Sequence, residues 1–271
     1  MFNWLYHLPL WLLAVLFCVL FLFLTWLGIR LARPWVHRWA GTDEGWNHIM
    51  GHAIASHGVL YGILLALLAL GALENRATLI EIVGTEAASL GALYRDSSGY
   101  PEPLRSRMKS RLHDYCTYVI DVAWPVQRRG QIPSGGVERL NAFQSMLVAY
   151  EPQTKSQEIL HAQTLYQYNR FVEARRQRIY SGEHGLPSPM WWVVAAGALL
   201  GIVLVSLLHV RRLSAHFVLA GCLSLMTGLV IFLLVALDHP LRGGISVSPE
   251  AFEIIRHNLM EGGTQDMTDH H

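Results

Sequence analysis

Charged side chains are scarce in this 271-residue chain, at 15% of the total, while apolar residues make up 52% and the mean hydropathy is +0.29. That balance points to an integral membrane protein carrying one sizeable extramembrane part. Net charge is also small, +1 at neutral pH, which excludes a polyanion-binding tail. Cysteine is limited to Cys18, Cys116 and Cys222. Their wide scatter supports neither a disulfide framework nor a paired-cysteine metal motif, so they read as packing residues. Also lacking are a Gly-x-Ser-x-Gly elbow, a His-Glu-x-x-His pair, a phosphate loop and a basic patch interleaved with aromatics. Hydrolytic, nucleotide-binding and nucleic-acid-binding chemistry therefore have no support, and no cofactor or metal is expected. No repeat or low-complexity segment is present.

Another absence is more informative. No proline falls between Trp46 and Arg95, and this stretch reads as one helix that crosses a membrane and continues beyond it. Its apolar part, Ala53 to Leu73, has the length that a bilayer core demands. Past Leu73 the pattern turns amphipathic without a breaker: Glu74, Arg76, Glu81, Glu86 and Arg95 lie among Leu79, Ile80, Ile82, Val83, Leu90 and Leu93. Winding at ~100° per residue puts Gly51, Ala55, Gly58 and Gly62 on one edge, a row of small residues that lets a neighbouring helix approach closely. A second edge carries His52 and Ser56, then Ile63, Leu67 and Leu70, then Glu74, Glu81 and Thr85: polar, narrowly apolar, polar.

Three further spans are expected. Leu8 to Ile29 is almost continuously apolar, with Trp4, Tyr6, Trp26 and Trp35 near its ends as an aromatic belt. It is longer than a signal-peptide core and has no preceding Lys or Arg. A polar turn follows, in which Thr42 or Asp43 can cap the long helix. Met190 to Leu208 and Phe217 to Leu237 complete the set, joined by a turn holding His209, Arg211, Arg212 and His216.

Between the second and third spans the sequence predicts a helical domain. One helix, 103–122, carries Leu104, Met108, Leu112, Tyr115, Val119 and Val122 on one side and is stopped by Trp124-Pro125. A second ends at Glu151-Pro152. A third starts at Thr154, with Gln157 completing a capping box, and ends in a crowd of arginines, Arg170, Arg175, Arg176 and Arg178. Asp238-His239-Pro240 closes the last span, and Ser248-Pro249-Glu250 has the form of a helix start, with Ser248 as cap. The last ten residues read as disordered.

Several polar groups qualify as candidates for chemistry. His48 and His52 share a helical face at a spacing that can hold a transition metal, yet no third ligand is evident, and packing or interfacial histidines explain the pair more simply. Glu74, Glu81, Glu86 and Asp238 lie beside spans, where ionisable groups are candidates by default. The plainer reading is a structural network in which Glu81 and Glu86 bind Arg95 or the arginines near Arg176. Those arginines can equally meet anionic lipid headgroups or an anion path. Asp238 is expected to be structural, tying the corner with Pro240 and Arg242 to the helical domain.

Taken together, Glu86 through Leu93-Tyr94-Arg95, Trp124-Pro125, the run Ala174 to Ile179 followed by Gly185-Leu186-Pro187 and Trp191-Trp192, and Leu237 to Gly243 before Val247-Ser248 resemble the bestrophin-like membrane family of bacteria. The resemblance covers the chain from about Gly58 onward. That family's pattern often has arginine after the final aspartate. Here His239 stands there, so no fixed ion pair is expected.

The resemblance implies an all-α, four-span subunit of an oligomeric anion channel, with five copies in the ring and the helical domain and termini cytoplasmic at the inner membrane. Its divisions are 1–95 for the first two spans, 96–189 for the extramembrane domain, 190–238 for the last two spans and 239–271 for the tail. Four spans are too few to enclose a lumen, so a homo-oligomer with inorganic ions and membrane lipids as partners is expected. In it the edge from His52 to Thr85 lines the pore and Ile63, Leu67 and Leu70 form its narrowest part. The rival expectation is a non-conducting scaffold or sensor whose helical domain binds a protein.

Overall fold

The computed structural model describes residues 8–39, 44–183 and 185–262, and all regular structure among them is helical. The α-helices among the described residues are α1 (Leu10–Trp39), α2 (Glu44–Asp96), α3 (Leu104–Tyr118), α4 (Trp124–Arg128), α5 (Gly136–Val148), α6 (Lys155–Glu183), α7 (Ser188–Ser206), α8 (Leu213–Asp238) and α9 (Glu250–Ile255). Helices α1, α2, α7 and α8 are long and apolar enough to cross a membrane. Trp4, Tyr6, the proposed caps Thr42 and Asp43, and residues 263–271 of the tail lie outside the described residues.

The chain divides into two compact units, Met1–Glu74 with Gly185–His239 and Gly243–Ile245, and Asn75–His184 with Pro240–Arg242 and Ser246–His271. In the first, α1, α7 and α8 pack where small residues remove bulk. A Cβ on Gly228 of α8 would sit 3.3 Å from the Phe17 carbonyl oxygen and the Phe21 Cβ of α1, and one on Gly28 would meet Ser206 Oγ of α7 at 2.6 Å. Buried Thr25 and Ser224 hydroxyls bond each other at 2.5 Å. Without a hydrophobic driving force between helices in lipid, such close packing and polar pairing hold spans together.

The first half of α2 docks on α7 along one face. Tyr61 lies over Gly197 and His57 over Gly201, and the Tyr61 hydroxyl donates to the Val194 carbonyl at 2.8 Å. Trp46 Nε1 donates to the Leu207 carbonyl at 2.9 Å. Asn47 donates to and accepts from the His209 backbone at 2.7 and 2.9 Å. The spacing of Gly197 and Gly201 places both on one face of α7, and the two rings one turn apart on α2 fill the hollow.

The second unit is built on the outer half of α2. Leu79, Val83, Ala87, Leu90 and Leu93 are buried against Met108, Leu112 and Tyr115 of α3, Phe143 and Leu147 of α5, Phe171 of α6, and Trp124 and Phe252. Two local readings need correction. Trp124-Pro125 does not stop its helix. A five-residue π turn, Val119–Ala123, re-phases the chain so that Pro125 falls in the first turn of α4, where its missing N–H is no loss. The same turn swings Val122 out to 49% exposure while Val119 stays buried. Nor does the Ser248 side chain cap α9: the N-cap position is Pro249, with no side-chain cap bond. At α6 the capping box is half as expected. Thr154 Oγ1 accepts from the Gln157 N–H at 3.3 Å, but the Gln157 carboxamide reaches back to the Gln153 N–H at 2.8 Å.

Gly197→Val should force Tyr61 off its seat and cost about 1–3 kcal/mol, the usual range for overpacking. Thermal unfolding in detergent checks this, with Gly71→Val as control because a Cβ there meets nothing within 4 Å.

Candidate functional site

Among the described residues, the proposed edge of α2 lies away from the face by which the helix packs. Leu65, Leu68 and Ala72 are buried at 5, 8 and 4% exposure, while Ile63, Leu67 and Leu70 are 56, 63 and 52% exposed. At ~100° per residue the two sets stand roughly opposite each other. His52, Ser56, Glu74 and Glu81 are exposed on the same line, and Thr85 is half-buried. Gly51, Ala55, Gly58 and Gly62 are exposed too, and a Cβ on any of these three glycines would meet nothing within 4 Å. Among the described residues of one copy, nothing packs on the three glycines of this row. The glycines that bring helices together are Gly28, Gly197, Gly201 and Gly228 instead, and the Gly-x-x-x-Gly spacing at 197–201 was the available signal.

Of the four candidate acids, Glu86 and Asp238 are buried, and Glu86 is the one in the core of the helical unit. Arg178 is 1% exposed and Glu86 0%. Arg178 Nε donates to Glu86 Oε2 at 2.5 Å and Nη2 to Oε1 at 3.1 Å. Tyr115 Oη donates to Oε1 at 2.8 Å, and Arg178 Nη1 donates to the Gln127 carboxamide oxygen. The guanidinium lies 5.2 Å from the Trp124 ring centre and 6.0 Å from that of Phe252. Desolvation opposes the charge on Arg178, yet the adjacent Glu86 carboxylate and its hydrogen bonds outweigh it and hold the arginine charged. Burial first, then the Glu86 charge, pushes the Tyr115 phenol well above its ordinary range. Both act to keep one fixed arrangement of protons. Cys116, next to this cluster, is a buried packing thiol whose pKa burial pushes up to about 12.

Glu86 thus pairs with Arg178 and not with Arg95. The reading of Arg178 as a lipid- or anion-facing group is overturned by its burial. Arg175 instead lies against Gly136, where a Cβ would meet its Nη2 at 2.5 Å. Arg176 is exposed and 3.8 Å from Glu173 Oε2. Glu81 and Thr85 border an open groove of about 620 Å³ shared with Thr78, Glu173, Arg176 and Tyr180. Among the described residues neither Glu74 nor Glu81 has a salt bridge.

Asp238 is buried at the end of α8, and its Oδ1 accepts the Leu186 N–H at 2.6 Å. Within the membrane unit it ties the exit of α8 to the entry of α7. His239 Nδ1 lies 3.4 Å from Asp238 Oδ2. Past it the Pro240 carbonyl accepts the Val247 N–H at 2.8 Å, and Arg242 lies under Gly130, whose φ of +74° and lack of a Cβ leave room for the guanidinium. His48 and His52 rings are 4.5 Å apart. Among the described residues no group of three or more His, Cys, Asp or Glu converges to hold a metal.

The model of the Bestrophin-like domain matches residues 15–252. The chain belongs to the bestrophin-like family. No curated protein matches it significantly. Three crystal structures share the fold. One, of a mutant of a bacterial bestrophin homologue from Klebsiella pneumoniae, has a TM-score of 0.64 at 11% identity, over 92% of this chain and 98% of its own. A membrane protein variant matches equally, TM-score 0.64 at 11% identity over 92% and 97%, and another gives 0.58 at 10% over 90% and 96%. The all-helical, four-span bestrophin-like architecture expected from the motifs is therefore the one observed.

Truncating one partner of the buried pair strands the other charge. Glu86→Ala and Arg178→Ala should each destabilise the protein by about 3–5 kcal/mol, measurable by thermal or denaturant unfolding. Exposed Glu81→Ala should stay within about 0.5 kcal/mol.

Proposed function

We propose that this bestrophin-like chain is one subunit of a homo-oligomeric ion channel, with α2 lining the pore. What supports the reading is the opposition on α2 between a face packed on its own chain and an edge, polar at both ends and apolar in the middle, that is left exposed among the described residues. One copy cannot enclose a lumen. A ring of copies, joined through surfaces such as the open row of Gly51, Ala55, Gly58 and Gly62, can turn the edge inward. Ile63, Leu67 and Leu70 then form an apolar constriction, which resists wetting and so limits conductance. The family resemblance favours five copies. The reading assigns the chain no catalytic step and no resident cofactor.

Resemblance and geometry pull selectivity in different directions. Anion conduction is what the family name suggests, but it requires the carboxylates at the mouth to be neutralised. Glu74 and Glu81 have no basic partner among the described residues, so this edge favours cations. Liposomes holding verified oligomers decide the matter. Leu67→Ser should raise flux several-fold, and Glu74→Gln with Glu81→Gln should move the reversal potential in asymmetric salt toward chloride. Background flux in both wild type and Leu67→Ser would instead favour the non-conducting scaffold.

We place the helical domain and termini in the cytoplasm at the inner membrane, on the strength of the resemblance. A cysteine at exposed Ser134 should then resist an impermeant thiol reagent in intact cells and react after permeabilisation.

A further inference from the structure

Most histidine side chains among the described residues are committed to a neighbour. His216 Nε2 donates to the Val205 carbonyl at 2.9 Å, His161 Nδ1 and the Tyr100 hydroxyl are bonded at 2.9 Å, His57 stacks on Tyr61 with ring centres 5.3 Å apart, and His209 meets His37 edge to face. His48 and His52 differ. Both are exposed, their ring centres lie 4.5 Å apart with the planes at 43°, and among the described residues neither side chain has any other hydrogen bond, ion pair or ring contact. Within one copy of the chain, this exposure removes the packing role that the sequence alone favoured for the pair.

The backbone beneath the two rings is fixed. Asn47 is bonded in both directions to the His209 backbone and Trp46 Nε1 to the Leu207 carbonyl, so the first turns of α2 are pinned to the end of α7. Side chains four residues apart on a helix stand one above the other. Zinc binds imidazole nitrogen at about 2.0–2.1 Å, so two rings sharing one ion have their centres roughly 4.5–5 Å apart. The observed separation falls in that range. Imidazole suits zinc, copper and nickel, whereas magnesium and calcium take oxygen ligands. With both histidines exposed, the remaining coordination positions are open to water, which makes such a site exchangeable in contrast to a closed four-ligand structural centre.

We propose that His48 and His52 form a two-imidazole site for a divalent transition metal of the zinc class, loaded from solvent. The site goes beyond the channel reading and does not need it. His52 shares an edge of α2 with Ser56, Ile63 and Leu67, so a bound ion also adds positive charge near one end of that edge. Only this consequence for flux rests on the channel reading.

Zinc binding is measured by titration calorimetry on the full-length protein, purified in detergent and stripped of metal, for wild type, His48→Asn, His52→Asn and His52→Cys. Each asparagine removes one ligand from an exposed position, and the cysteine replaces one zinc ligand with another. Wild type should hold one more tightly bound zinc ion per chain than either asparagine variant, because losing the second ligand on a fixed face weakens binding by on the order of a hundredfold. His52→Cys should restore it. Histidines elsewhere, including His270 and His271, are common to all four proteins and cancel in the difference. An equal zinc count in wild type and both asparagine variants overturns the site, and so does displacement of the zinc by equimolar magnesium. If one asparagine variant fails to fold, the other decides together with His52→Cys. In proteoliposomes zinc should lower cation flux through wild type and not through His48→Asn. Binding without that effect leaves the site standing and counts against the channel reading instead.

Discussion

The bidentate pair of Glu86 and Arg178 is the constraint from which the geometry of the outer half of α2 follows. Two ions this deeply buried are tolerated only when their remaining donors and acceptors are used, and here Tyr115 and Gln127 use them. The carboxylate must therefore face the core formed by α3, α4 and α6. Within the helical unit, fixing the direction of Glu86 fixes the other residues of the outer half of α2. Leu79, Val83 and Leu90 follow it inward. Glu81 is turned outward, at ~100° per residue.

A second constraint acts where lipid replaces water. Spans cannot associate by hiding apolar surface from lipid tails, so the contacts that hold α2 to α7 are steric and polar: Tyr61 and His57 over Gly197 and Gly201, with Trp46 and Asn47 bonded to backbone groups at the end of α7. These occupy one face, and among the described residues most of the rest of the span is exposed. A long apolar helix held along a single line is suited to assembly with other copies, since its free surface is already apolar and, at Gly51, Gly58 and Gly62, nearly flat.

Much of this was legible in the sequence because it depends on period and length. The unbroken run through Ala53 to Leu73, the change to amphipathic spacing after Glu74, and the motifs around Trp124-Pro125 and Asp238-His239-Pro240 led to a four-span helical protein of the bestrophin-like family. The two edges of α2 were also readable, as they need only the helical angle. Less legible was anything decided by a partner distant in sequence. Arg178 looked like one member of an exposed basic run, and only the core around Trp124 and Phe252 separates it from Arg176. The π turn at Val119–Ala123 has no composition signature, so Val122 was placed on the buried side. The bond from the Leu186 N–H to Asp238 is likewise one that no local pattern announces.

The central claim is that the outward edge of α2 faces water inside an assembly of copies. Cysteine accessibility tests it most directly. In a background with Cys18, Cys116 and Cys222 replaced by alanine, single cysteines at Leu67 and Leu68 are exposed to a small charged thiol reagent in proteoliposomes, with modification and ion flux followed together. The account predicts that Leu67→Cys is modified with a change in flux while Leu68→Cys, buried in the core of the membrane unit, is untouched. Modification of neither position, or of Leu68→Cys as readily as Leu67→Cys, in intact oligomers would contradict it.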